Sequence, residues 1–404
     1  MKQQHTEDEI IVVSSYPMRG SIHSPQTVGV AYYTKSMLRA VKQVNPGFPV
    51  TVFAEQMRGD KAAYTESGVT VRRTWKRGSL ASIANLFMKL RRQKAEKIAV
   101  SFEINMFGKP QHTVLGLLGL WSLTVSGKHT YLIIHQVLAD FRHIEGDTFK
   151  ARLLNMQKNL LYWLMRRSAS EIIVFEEQFK RQLGKHNHVS TVPLLIPKVA
   201  TTTKAQAREQ LGWKTNDRYI LYFGFLAPYK GIDLLLANWP SVAHTHLIVA
   251  GGANPNHKKN KKYASYLKEV VDLAVRKGVT VTGFVPERKL PLYFAGCDAV
   301  ILPYRTFMSS SAPLSIALGH GKPVLLATSL APYALSRDIK KALTDASLSI
   351  RDMLFTYNED SIRRAIKQVF ARKQAHLRFA KHMRATRSEA QVARQMLEVL
   401  GYEK

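Results

Sequence analysis

Short runs of apolar and β-branched residues alternate along this chain with longer segments in which apolar residues recur at helical spacing. The pattern begins with a strand signal, EIIVVSSYP, then a helix signal, GVAYYTKSMLRAVKQ, and the same alternation continues to EIIVFEEQFKRQL. It breaks near residue 198 and restarts with YILYFGF. Alternation of this kind predicts an α/β fold in which parallel sheets are covered by helices on both faces.

The break divides the chain into two predicted domains, each a doubly wound, Rossmann-like unit. We expect the first domain to span residues 1–198 and the second to span residues 199–380. The last segment, 381–404, has a basic helical pattern, and we expect it to tie the domains together by packing back on the first. A chain of 404 residues, of which 46% are hydrophobic, can bury two such cores.

The charge balance is strongly basic: 59 lysines and arginines against 29 aspartates and glutamates give a formal net charge of +30. This excess indicates a polyanionic neighbour, such as nucleic acid, an anionic membrane face or a charged substrate, although a soluble enzyme without one also fits it. A nucleic-acid-binding protein would need clustered stacking aromatics or a known module. The aromatic residues, 9% of the chain, are scattered, so nucleic acid is not the expected partner.

The segment KARLLNMQKNLLYWLMRRSA bears on localisation, because it has leucine, tryptophan and tyrosine on one side and basic residues on another. It fits an interfacial helix on anionic lipid, and also a helix packed on its sheet with a solvated basic face. The acidic N-terminus does not resemble a signal peptide, and no apolar stretch reaches about 18 residues. We therefore expect a cytoplasmic protein, either free or peripheral on the inner face of the membrane, in which the single cysteine, Cys297, is a buried structural thiol.

The segment YFGFLAPYKG, residues 222–231, has the pattern of a strand, a turn and the start of a helix. Gly224 ends the strand and lets a ligand approach the backbone closely. Lys230 follows at the carboxyl end of a parallel strand, where open α/β sheets bind their ligands. Its ammonium group would neutralise a phosphate, although a plain surface lysine also fits this position.

A second candidate anion site lies in LPYRTFMSSSAPLSIALGHGKPV, residues 302–324. Three serines before a proline in a helical pattern give a strong N-cap signal, so we expect a helix to begin near Ala312. The hydroxyl and N–H groups of Ser309 to Ser311 would form an anion site at this helix start. Arg305, in the same loop, would add a bidentate contact to a phosphate.

Four segments of the second domain resemble glycosyltransferase family 4, retaining enzymes of the GT-B fold that use sugar nucleotides: FGFLAPYKGID, LIVAGG, VTGFVPERKLPLYFAGCDAVILPYR and SSSAPLSIALGHGKPVLLA. The resemblance covers roughly residues 200–335. In the first domain, GVAYYTKSML is similar to the family's glycine loop and first helix, and YLIIHQV to the strand whose terminal histidine lines the cleft. The resemblance implies two Rossmann-like domains facing each other across a cleft, with a C-terminal helix that crosses back to the first domain.

The resemblance also implies a donor substrate, a nucleoside diphosphate sugar with uridine or guanosine as its base, bound mostly on the second domain. His135 would contact the donor sugar or position the acceptor hydroxyl, although a structural histidine at a strand end also fits. Glu103 is a weaker candidate for binding the acceptor. The residues expected to bind the donor are Gly29, Gly224, Lys230, Gly251, Phe284, Val285, Arg305, Ser309, Ser310 and Ser311. Because the chain has no Asp-x-Asp pair, we expect neither a metal ion nor another cofactor to be required.

Three positions depart from the family pattern. Phe225 stands where an arginine is usual, and Met308 and Ile316 stand where two glutamates normally contact the donor sugar and the ribose. We interpret this as a variant site in a metal-independent hexosyltransferase that acts on a glycan or lipid-linked acceptor in cell-envelope or exopolysaccharide synthesis. The alternatives are a non-catalytic GT-B partner subunit, a basic nucleic-acid-binding protein, and a sugar-nucleotide epimerase, for which the cleft is poor in carboxylates.

Overall fold

The protein is described here by a computed structural model that covers residues 8–20, 29–138, 140–141, 147–184, 188–199, 202–253 and 261–402. Two parallel sheets, one in each half of the chain, form the framework. Their strand orders contain crossovers between non-consecutive neighbours, as expected of doubly wound domains. The predicted fold class is therefore confirmed.

The first sheet has the strand order β3-β4-β2-β1-β5-β6-β7-β8. All five residues of its central strand β1 are buried, because helices cover both faces. The edge pair β3 and β4 is antiparallel and departs from the predicted alternation; Ser67 and Gly68, both with positive φ, form the turn between them. The strands are β1 (Ile10–Ser14), β2 (Val50–Glu55), β3 (Ala63–Glu66), β4 (Val69–Trp75), β5 (Lys97–Phe102), β6 (His129–Ile134), β7 (Glu171–Val174) and β8 (Val189–Thr191).

The described part of this domain contains five helices: α1 (Gly29–Val44), α2 (Leu80–Arg91), α3 (Pro110–Val125), α4 (Phe149–Ser168) and α5 (Glu177–Leu183). Buried side chains of α2, α3 and α4 share one hydrophobic cluster, whereas those of α1 belong to a separate cluster. The two clusters correspond to the two faces of the sheet, since alternate residues along a strand point in opposite directions.

The second sheet is parallel throughout, with the order β11-β10-β9-β12-β13-β14. Its strands are β9 (Arg218–Phe223), β10 (Thr245–Ala250), β11 (Thr280–Val281), β12 (Ala299–Leu302), β13 (Val324–Ala327) and β14 (Leu354–Phe355). The helices that follow the first domain are α6 (Lys204–Leu211), α7 (Ile232–Ala237), α8 (Lys261–Arg276), α9 (Leu290–Gly296), α10 (Ala312–Gly319), α11 (Arg337–Asp345), α12 (Glu359–Ala371), α13 (Lys373–Thr386) and α14 (Glu389–Val399).

The chain crosses back to the first domain between α13 and α14. Phe379 and Met383 of α13 lie in the cluster that includes the second-domain core, while Met396 and Leu397 of α14 pack with the α1 side of the first sheet. The crossing therefore confirms the predicted return of the C-terminal helix, and it falls a few residues after position 381.

Cys297 is fully buried, and burial raises the pKa of its thiol to about 11. Its thiol donates a hydrogen bond to the Phe294 carbonyl, so the prediction of a structural cysteine is confirmed. Among the described residues, no helix is long and apolar enough to cross a membrane.

Candidate active site

A cleft of about 350 Å³ lies between the two domains and is lined by residues of both. The carboxyl ends of β5 and β6 reach it from the first domain, and those of β9 and β10 reach it from the second. All but one of the predicted site residues line it: Gly29, Glu103, His135, Gly224, Lys230, Gly251, Phe284, Val285, Ser309, Ser310 and Ser311. The exception is Arg305.

Lys230 ends a short 3-10 turn, Pro228–Lys230, that follows β9. Its ammonium group packs over Gly224, where an added Cβ would lie 2.6 Å from the Nζ atom and would push the ammonium aside. Gly224 also has a φ of 135°, in the region that favours glycine. Burial lowers the pKa of Lys230 to about 8, and no carboxylate among the described residues pairs with it. A buried cation without an anion marks a place where a ligand supplies the negative charge.

Gly251 makes the neighbouring loop possible. A Cβ at this position would collide with the carbonyl oxygen of Gly224, so the segments that follow the paired strands β9 and β10 can lie this close only with glycine here. Lys230, Gly224 and Gly251 all line the cleft at this place.

Arg305 is held away from this group. Its guanidinium forms an ion pair with Asp233 in the first turn of α7, and its backbone N–H donates to the Tyr229 carbonyl at 2.8 Å. The structure therefore does not bring Arg305 to Lys230. A contact between Arg305 and a diphosphate stays a prediction, and it would require the Asp233 pair to open.

The serine loop, residues 308–311, caps α10 as predicted: the Ser311 hydroxyl accepts from the Leu314 N–H at 3.2 Å. The N–H of Ser311 is not free for an anion, because it donates to the hydroxyl of Tyr333 at 3.1 Å. Ser310 donates its hydroxyl to Glu176 at 3.0 Å. The serine hydroxyls therefore serve mainly to fix the loop.

The first domain holds the same loop in place. The N–H of Val137 donates to the Met308 carbonyl at 2.7 Å, and Gln136 forms a β-bridge with Ser309. The Met308 carbonyl therefore joins the second domain to the first next to His135. In the family, the Met308 position carries a glutamate. This backbone contact between distant segments has no signature in the sequence.

His135 stands at the end of β6, where its ring packs between Tyr33 and Phe175 with centroid separations of 4.7 and 4.9 Å. Burial lowers the pKa of His135 to about 3, so the ring is neutral at physiological pH. Its Nε2 lies 2.8 Å from the Ser101 hydroxyl, which accepts from Thr34 at 3.2 Å. The hydroxyl of Ser101 has two acceptor lone pairs as well as its own proton, so this bond fits either tautomer of His135.

Glu103 follows β5 and supplies the one carboxylate among the described residues that line the cleft. Burial raises the pKa of this carboxyl, while the nearby Arg77 opposes the shift. On the second-domain side, Ile316 and Phe225 line the cleft where the family has charged residues. The wall is apolar there, with Val285 and Leu290 alongside.

Several residues that line the cleft were not predicted from the sequence, chiefly Tyr33, Gln136, Phe175 and Tyr229. Tyr33 and Phe175 match the apolar pattern of core residues, so only the fold distinguishes them from ordinary core residues. Gln136 and Tyr229 are direct neighbours of His135 and Lys230 in sequence, and that adjacency was the available signal.

Comparisons with known proteins agree with this geometry. Residues 217–350 match the family model described as "Glycosyl transferases group 1". A GDP-mannose:glycolipid 4-beta-D-mannosyltransferase of Xanthomonas campestris pv. campestris is 27% identical over 123 residues, 30% of this chain and 33% of that protein. The alpha-monoglucosyldiacylglycerol synthase of Streptococcus pneumoniae is 21% identical over 69% of this chain and 66% of its own length. The chain thus spans about a third of the first relative and about two thirds of the second.

Among solved structures, the sucrose-phosphate synthase of Thermosynechococcus elongatus superposes with a TM-score of 0.72 at 15% identity, over 97% of this chain and 98% of that one. At this identity the likeness concerns the fold. The chain is a two-domain protein of the GT-B fold, and residues 217–350 of its second domain are similar to the group 1 glycosyltransferases.

Proposed function

We propose that this chain is a retaining glycosyltransferase that moves a hexose from a nucleoside diphosphate sugar to a hydroxyl group of a glycan or lipid-linked acceptor. The observation that carries the proposal is Lys230, a buried ammonium in the interdomain cleft with no carboxylate partner among the described residues. It lies within the segment matched by the group 1 family. A diphosphate supplies the missing negative charge.

The diphosphate is proposed to lie against the backbone of Gly224 and Gly251, within reach of Lys230. The start of α10, capped by Ser311, lies next to Gly224 on the same side of the cleft and adds the positive end of its helix dipole. These groups stabilise charge where it develops as the donor breaks, which is the largest single contribution to catalysis in many enzymes.

The proposed reaction breaks the bond between the anomeric carbon and the β-phosphate oxygen of the donor. A bond forms between the same carbon and the acceptor oxygen, and the acceptor proton passes to the leaving diphosphate. The products are a nucleoside diphosphate and the glycoside. Retention of configuration follows from the resemblance to the family, and no side-chain nucleophile is invoked.

His135 and Glu103 face this reaction from the first domain. We propose that Ser101 donates to Nε2 of His135; the proton of the neutral ring then lies on Nδ1, which can donate to a hydroxyl of the donor sugar or the acceptor. Glu103 is proposed to accept a hydrogen bond from an acceptor hydroxyl. His135 and Glu103 line the cleft from the first domain and Lys230 lines it from the second, so the sugar is proposed to lie between the two sides.

The names of the relatives agree with this choice of substrates, since one is a mannosyltransferase that uses GDP-mannose and a glycolipid, and the other a diacylglycerol glycoside synthase. We therefore propose a role in cell-envelope or exopolysaccharide synthesis for this chain. Met308 and Ile316 stand where the family has two glutamates. This replacement favours one alternative function, that of a non-catalytic GT-B partner subunit that binds the nucleotide without turnover.

A thermal-shift titration with UDP, GDP and ADP in the presence of EDTA tests donor binding and the expectation that no metal is needed. We expect at least one of these nucleotides to raise the midpoint of unfolding of the wild type, and Lys230→Ala to abolish that shift. Lys322→Ala is the matched control, because Lys322 is a partly buried lysine of the same domain whose Nζ donates to the carbonyls of Ala295 and Cys297 outside the cleft. A shift of equal size in Lys230→Ala would refute the diphosphate assignment.

A further inference from the structure

Exposed apolar side chains are concentrated on one layer of the first domain. Thirteen large hydrophobic residues are exposed in the part of the chain that the structure describes, and eleven of them lie on α2, α3 and α4. We call these eleven residues the helix-layer surface: Leu80, Met88, Val114, Leu118, Trp121, Val125, Phe149, Leu153, Met156, Leu160 and Trp163. The other two, Val271 and Val275, lie on α8 of the second domain.

The spacing of these residues makes continuous stripes. On α4, the exposed residues from Phe149 to Trp163 follow one another at intervals of four and three, and those on α3 from Val114 to Val125 do the same. Such a spacing places side chains on one helix face. The opposite faces of both helices are buried in the domain core, so the exposed stripes are a second apolar face that this domain leaves uncovered.

All charged residues on these three helices are basic, and they lie on α2 and α4. In Leu80–Arg91, Pro110–Val125 and Phe149–Ser168 there is no aspartate or glutamate, and the charged residues are Lys89, Arg91, Lys150, Arg152, Lys158, Arg166 and Arg167. Arg152 pairs with Asp147, just before α4, at 3.0 Å. An apolar stripe flanked by lysine and arginine, with tryptophan among its residues, is the composition of helices that lie in the interface of an anionic membrane.

We infer that the helix-layer surface docks on an anionic lipid membrane, with α3 and α4 lying along the bilayer face. Charge decides between lipid and a second copy of the chain. A symmetric dimer through this surface would set like charges against each other, whereas anionic headgroups neutralise them and the apolar stripes enter the acyl boundary. Large exposed apolar patches on a folded domain generally mark such contact surfaces.

The position of the surface links it to the cleft. Glu103 lies between β5 and α3, and His135 lies between β6 and α4. α4 packs beside the loop that follows His135, where the Tyr162 hydroxyl donates to the Leu138 carbonyl at 2.8 Å. Both helices therefore adjoin segments that line the cleft. A lipid-linked acceptor would then present its head to the cleft from the surface on which the domain lies, and this last step rests on the proposed function, whereas the docking surface does not.

Vesicle co-sedimentation of the full chain tests the inference. We expect binding to vesicles of equal parts phosphatidylglycerol and phosphatidylcholine, weakened by added salt, and little binding to pure phosphatidylcholine. The variant Val114→Asp/Val125→Asp should lose binding by about tenfold or more. Its control, Val271→Asp/Val275→Asp, has the same chemistry and charge change at almost the same exposures, 45% and 74% against 42% and 74%, and should stay within about twofold of the wild type.

Equal losses in the two variants would overturn the inference, because they would show an effect of net charge alone. Absence of binding to every vesicle would also overturn it, as would a dimer in sedimentation velocity that only Val114→Asp/Val125→Asp disrupts. Thermal shift by the nucleotide is recorded on the same samples. A protein that binds vesicles without responding to nucleotides would refute the proposed function and leave the docking surface standing.

Discussion

Lys230 is the residue on which the proposed chemistry depends. Its burial without a carboxylate partner costs free energy, because the ammonium loses hydration that the ring of Tyr304, 5.4 Å from Nζ to the ring centroid, replaces only in part. Two glycines leave room beside it. A Cβ at Gly224 would lie against the Lys230 ammonium, and a Cβ at Gly251 would collide with the Gly224 carbonyl oxygen. Such an arrangement is understandable if a ligand brings the compensating charge.

The lowered pKa of Lys230, about 8, predicts a pH dependence of nucleotide binding. A bound diphosphate favours the ammonium form, so proton binding and nucleotide binding support each other. We expect the affinity to be greatest below pH 8, where the free protein already carries the proton, and to fall by up to about tenfold per pH unit above it. Calorimetric titration across this range measures the slope, and Lys230→Arg, which stays charged throughout, should flatten it. An unchanged slope in Lys230→Arg would assign the effect to another group.

At the scale of elements, the serine loop and the turn between α13 and α14 form one structure. Glu176, fully buried after β7, accepts hydrogen bonds from Ser310 at 3.0 Å and Ser336 at 3.2 Å. Arg387 donates to the same carboxylate at 3.4 Å and to Asp338 at 2.5 Å. Burial raises the pKa of Glu176, and the guanidinium of Arg387 opposes that shift. The first domain, the second domain and the chain crossing are thus joined at one buried carboxylate.

Arg387→Ala should lower the free energy of unfolding by about 3–5 kcal/mol, because it leaves Glu176 buried without its cation. Arg394→Ala, on the exposed face of α14, is the control and should change it by less than about 0.5 kcal/mol. Urea denaturation followed by tryptophan fluorescence measures both. Similar small effects from the two substitutions would show that the buried network does not hold the domains together.

The serine loop also shows how far the sequence could predict the site. The start of α10 and its cap at Ser311 were predictable, because an N-cap is a local pattern. The partners of the loop were not: Ser310 meets Glu176 across 134 positions of sequence, and the Ser311 N–H is taken by Tyr333. The ion pair that draws Arg305 to Asp233 is likewise a contact of tertiary structure.

For the whole molecule, the two domains were predictable because alternating strand and helix patterns determine a parallel sheet almost unaided. The return of the C-terminal helix was expected from the resemblance to the glycosyltransferase family. The helix-layer surface was predictable only in part. The α4 segment carries a visible basic and apolar pattern, but helical spacing alone does not tell which of two apolar faces meets the core. Packing on the sheet decides this, and it leaves the stripes of α3 and α4 uncovered.

The central claim, that this cleft transfers a hexose with Lys230 as its cation, is tested most directly by turnover. The measurement is the release of nucleoside diphosphate from UDP-, GDP- and ADP-hexoses, with a bacterial lipid extract as acceptor. We predict release from at least one donor, a loss on the order of 10²–10³-fold in Lys230→Ala, and activity near that of the wild type in Lys322→Ala. Nucleotide binding without release from any donor, or undiminished release by Lys230→Ala, would contradict the account.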